Sequence, residues 1–131
     1  MIAILVDHNI EGQAALLLST LTSEGWIELG VLHFATFGEL SLPIGTPDSV
    51  LWHFVQNRQM LLLTGNRNMA GEDSLEQTIR RENRTDSLPV VTIASVERIL
   101  EADYRLSCAT KLAEICLYIE SYRGTGRLYV P

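Results

Sequence analysis

This sequence is poor in several things that usually announce a function. Its two cysteines, Cys108 and Cys116, stand eight apart in a stretch that reads as helix, which sets their backbones about 12 Å apart at ~1.5 Å rise per residue and excludes a disulfide between them. No CxxC pair is present, so zinc-ribbon and dithiol redox chemistry are excluded, and the thiols read as small core residues. Apolar runs such as Ala14 to Leu18 and Met60 to Leu63 are far too short to span a bilayer. With no CxxC pair and no signal-like pattern at the N-terminus, the expected location is the cytoplasm, and no membrane-spanning role is expected. Lysine is nearly missing: Lys111 is the only one among ten basic residues. With sixteen acidic residues the net charge is -6 and the pI about 4.9, so the average surface repels polyphosphate, and nucleic-acid contact requires a local patch. There is no GxSxG elbow for a serine nucleophile, and the glycines of "GTG" (Gly124 to Gly126) and "TGN" (Thr64 to Asn66) lack the flanks of a phosphate loop. His8, His33 and His53 share no spacing that makes a zinc site.

What is present suits one compact domain over residues 1–131: 47% of residues are hydrophobic, 20% are charged, and the mean hydropathy is +0.13. No repeat, low-complexity tract or linker interrupts it. "IAILV" (Ile2 to Val6) is a continuous apolar run, the pattern of a strand buried on both faces. A helix follows from Ile10 to about Glu24 and stops at Gly25. "VLHFATF" (Val31 to Phe37) predicts a second strand, and "GELSLPIGTP" a loop. Thr46 or Pro47, then Asp48 and Ser49, supply the start of a helix reaching Arg58. Met60 to Thr64 is a third strand, Gly71 to Asn83 a helix with acids first and arginines last, and Leu88 to Ile93 a fourth strand. A short helix from Ser95 precedes a long one over 103–122, with Leu106, Ala109, Leu112, Ala113, Cys116 and Ile119 on one stripe, and "RLYV" (Arg127 to Val130) closes as a strand. Alternating helices and apolar strands predict an α/β fold with a mostly parallel sheet covered on both faces.

In such sheets ligands gather at the carboxyl ends of the strands. Asp7, His8 and Asn9 follow the first strand; Thr64, Asn66 and Asn68 follow the third; Asp48, Glu72 and Asp73 open helices. Oxygen donors without sulfur suit a hard cation such as Mg2+ or Mn2+, which activates water and screens charge on a phosphodiester. Each residue also has a plainer reading. Asp7 is a metal ligand or a helix cap, with Asn9 the better cap; Asp48, Glu72 and Asp73 suit a helix dipole; Asn66 and Asn68 suit a tight turn. Arg80, Arg81 and Arg84 form the one basic cluster, which serves the helix dipole in preference to guiding RNA toward the acidic edge.

"ILVDHNI" (Ile4 to Ile10), "PDSVLWHFVQNRQMLLLTGNRNM" (Pro47 to Met69) and the intervals between them resemble the short prokaryotic PIN-like proteins, relatives of toxin-type PIN ribonucleases. That family's pattern is strand, Asp, helix; Asp opening a helix; then strand, Thr, x, Asp, x, Asp. The resemblance covers the first seventy residues well and the rest in outline. It implies a three-layer α/β/α PIN-like fold and an acidic site that binds Mg2+ or Mn2+ and cuts RNA. Asp7 and Asp48 match the first two aspartates and the implied metal ligands, and Thr64 matches the threonine. Asn66 and Asn68 stand where the family has aspartates: an amide ligates through its carbonyl oxygen but brings no charge. Glu72 and Asp73 follow within about a turn and are placed to return that charge. The expectation is therefore a divergent metal-dependent ribonuclease. Its alternatives are an inactive PIN-like protein that binds RNA or a partner protein, and a small α/β scaffold dimerising through the long C-terminal helix.

Overall fold

The computed structural model describes residues 1–66, 71 and 74–131. Five strands form one all-parallel sheet in the order β2-β1-β3-β4-β5: β1 (Ile2–Val6), β2 (Leu32–Ala35), β3 (Leu61–Thr64), β4 (Val90–Ile93) and β5 (Arg127–Val130). Helices α1 (Glu11–Ser23), α2 (Asp48–Asn57), α3 (Leu75–Glu82), α4 (Ala102–Leu117) and α5 (Ile119–Tyr122) complete the chain, with 3-10 turns at His8–Ile10 and Val96–Leu100.

The continuous apolar runs reflect a sheet covered on both sides. Side chains alternate across a strand, so Ile4, Val6, Leu61, Leu63, Val91 and Ile93 face one layer while Leu5, Leu62 and Val90 face the other. The first layer is built by Leu17 and Leu21 of α1 with Cys108, Leu112 and Ile115 of α4; the second by Leu51 and Val55 of α2 with Leu75 and Ile79 of α3. This is a three-layer α/β/α fold. Gln56 secures α2 to the sheet by bonding both backbone groups of Leu88, through Nε2 to the carbonyl oxygen at 2.8 Å and through Oε1 from the amide at 3.0 Å.

Several local expectations are corrected. β2 is four residues long, shorter than the run from Val31 to Phe37. Of Thr46 and Pro47, Pro47 stands at the cap of α2, and the Thr46 hydroxyl donates instead to the Pro43 carbonyl at 2.6 Å. α3 begins at Leu75, with Ser74 as its cap accepting from the Gln77 amide. The long helix breaks at Tyr118 (φ -114°, ψ 34°). On that helix Leu106 is 40% exposed, whereas Tyr104, Cys108 and Ile115 join the buried stripe.

Candidate functional site

The chain leaves β1 for α1 on one face of the sheet and leaves the neighbouring β3 for α3 on the other. The two connections diverge at the carboxyl edge between β1 and β3, the switch point where parallel sheets open a crevice. Asp7 and Thr64 meet there. The Asp7 amide continues the ladder to the Leu63 carbonyl at 2.9 Å, and its carboxylate accepts twice: Oδ2 from the Thr64 hydroxyl at 2.7 Å and Oδ1 from the Asn9 amide at 3.2 Å. Asp7, and not Asn9, therefore caps the 3-10 turn His8–Ile10. Asn9 is exposed on the rim of a cleft of about 350 Å³ that Asp7, Ile10, Gly65, Asn66 and Val96 also line.

Thr64 is fully buried, and its hydroxyl accepts from the Asn66 amide at 2.9 Å while donating to Asp7. Asn66 then reaches the second carboxylate: its Nδ2 donates to Asp48 Oδ2 at 2.9 Å. The same oxygen accepts the Leu75 amide at 3.2 Å, so Asp48, the first residue of α2, also satisfies an unpaired amide at the start of α3. Both aspartates thus belong to one hydrogen-bonded chain, Asp7–Thr64–Asn66–Asp48.

Behind this chain, on the α2/α3 face of the sheet, lies a set of residues to which the sequence motifs do not point. Arg127 of β5, its side chain only 7% exposed, donates through Nη1 to the Asn66 carbonyl at 2.9 Å and to the Thr92 hydroxyl at 2.5 Å, and through Nε to Glu76 Oε1 of α3 at 3.1 Å. Among the described residues its Nη2 has no partner. The available signals are a threonine inside the buried run "VVTI", in register with Thr64, and a cation opening an edge strand.

Arg80 and Arg81 are not at this edge. They end α3, which runs back toward the amino ends of the strands, and pair with Glu76 and Glu82 at 3.3 and 3.6 Å. Arg84 lines a separate polar cleft there, with Trp52, His53 and Gln56. Asn68, Glu72 and Asp73 lie outside the described residues. Among the described residues no three His, Cys, Asp or Glu side chains form a group that could hold a metal ion. The donor chemistry of Asp7 and Asp48 does fit one hard cation: both offer oxygen, and among the described residues no donor reaches Oδ1 of Asp48.

Fold and site together define a parallel three-layer α/β/α protein with two carboxylates linked across the switch point of its sheet. No protein-family model, curated protein or solved structure matches the chain.

Proposed function

We propose that this chain is a divergent PIN-like protein whose switch-point edge takes one Mg2+ or Mn2+ ion and cleaves an RNA phosphodiester. The observation that carries the reading is the linkage of Asp7 and Asp48 through Thr64 and Asn66. In this reading Asp7 and Asp48 hold the ion, and Glu72 or Asp73 adds the charge that Asn66 and Asn68 do not bring. The bound ion supplies Lewis acidity, lowering the pKa of water and screening the phosphodiester charge. The chain's own part is positional. Thr64 fixes the Asp7 carboxylate, the Asn66 amide fixes that of Asp48, and Asn9 borders the cleft through which a strand of RNA approaches.

Titration with Mn2+ by calorimetry, followed by incubation with unstructured RNA, tests this. The expected result is binding that Asp7→Asn abolishes, with cleavage that depends on the same residue. No binding at millimolar metal sinks the enzyme. A second reading, a PIN-like protein that binds RNA or a protein partner without cutting, is favoured by the Asn66 amide beside Asp48, which satisfies that carboxylate without a cation. RNA retention without cleavage selects it.

A further inference from the structure

We propose that Arg127 is the positioning residue of the candidate site, a guanidinium on β5 that sets the turn after β3 so that Asn66 presents Asp48 and, through Thr64, Asp7. Its place in the fold makes it a poor candidate for a simple surface ion pair. Arg127 opens β5 opposite Val90, yet its side chain runs along the sheet face to Thr92, which pairs with Tyr129 two residues further on, and to the carbonyl of Asn66. Removing a guanidinium from water is costly unless its donors are used. Here Nε is bound to Glu76, whose side chain is 15% exposed and shared with Arg80, and Nη1 carries two oxygens, from Thr92 and Asn66, while Nη2 has no partner among the described residues.

Geometry explains why arginine occupies this position. Three acceptors on α3, β4 and the β3 turn are met by two nitrogens held in one rigid plane, so the position of Asn66 is referred to the sheet and to α3 together. An ammonium is a single point at the end of a flexible stem and cannot hold all three acceptors in the same register. Asn66 is the hub: its amide goes to Thr64, its side chain to Asp48, and its carbonyl receives Arg127. Displacing the carbonyl therefore disturbs a bond made directly to Asp48 and one that reaches Asp7 through Thr64. Groups that orient a metal's ligands in this way typically change affinity by about 10–100-fold when lost.

The metal readout rests on the function proposed above, and a second readout does not. In the wild-type protein the Arg127 Nε and Nη1 protons should be resolved in NMR spectra and protected from exchange; a freely averaged arginine signal overturns the proposal. In Arg127→Lys, the side-chain amide resonances of Asn66, assigned by their loss in Asn66→Asp, should shift away from their wild-type positions. Mn2+ affinity should fall about tenfold. A folded Arg127→Lys with unmoved Asn66 resonances and wild-type affinity overturns the assignment. If the wild type takes no Mn2+ but the Asn66 resonances move, the metal site fails and the role of Arg127 in setting Asn66 stands.

Discussion

Asn66 holds Asp48 by an amide hydrogen bond of 2.9 Å, so a neutral donor stands where another carboxylate would repel the one already present. Asn66→Asp should remove the bond and set like charges side by side. The expected cost is about 1–3 kcal/mol at neutral pH. Thermal melting at pH 7 checks this, and an unchanged melting temperature refutes it.

Thr64→Val keeps the shape of a buried side chain and deletes the hydroxyl between Asp7 and Asn66. The change should destabilise by about 1–3 kcal/mol, because it leaves a carboxylate oxygen and an amide without their partner. Thr64→Ser retains the hydroxyl and should lose less of this polar contribution. Urea denaturation of the two variants separates the lost hydrogen bonds from the lost methyl group.

Gly65 is confined by space. A Cβ at this position would lie 2.5 Å from Cγ2 of Val96. Gly65→Ala should cost about 1–3 kcal/mol through overpacking. Combining it with Val96→Ala should be less harmful than the sum of the two single changes, and a double-mutant cycle measures that coupling.

Burial pushes the Cys108 thiol up to about 11 and the Cys116 thiol up to about 12. At neutral pH both thiols are protonated whether the chain is folded or not, and they add no pH dependence. As pH rises beyond the ordinary thiol range, the unfolded chain releases these protons first, so native stability falls until the folded thiols also ionise. The expected slope is about 1.4 kcal/mol per pH unit for each thiol. Denaturation at pH 8 to 10 should show this loss in the wild type and a flatter profile in Cys108→Ala/Cys116→Ala.

The strands were legible because burial on both faces leaves uninterrupted apolar runs such as "IAILV" and "LLLT", and the meeting of Asp7 with Thr64 was legible because the two close neighbouring runs of this kind. Caps were less so. Asp7 and Asn9 are both good caps by type, and the structure decides by which oxygen reaches an amide. The start of α3 depends on Asp48, whose carboxylate arrives from 27 residues earlier and satisfies the Leu75 amide. Arg127 was hidden for the same reason: its acceptors Thr92, Glu76 and Asn66 are 35, 51 and 61 residues away, beyond any local pattern. On α4, Leu106 and Tyr104 both suit a helical stripe, and only packing against the sheet selects the tyrosine, whose hydroxyl accepts from the Ser95 amide at 2.8 Å.

The bonds that build the switch-point edge join residues 57, 18 and 61 positions apart in the chain. Closing such long loops carries an entropic cost that only completed tertiary structure offsets. Asp7 and Asp48 therefore come under common control only where β1, β3 and β5 are all in place. A chain caught with only part of its sheet assembled would keep helices and apolar contacts but have no site, which makes the edge a sensor of complete folding.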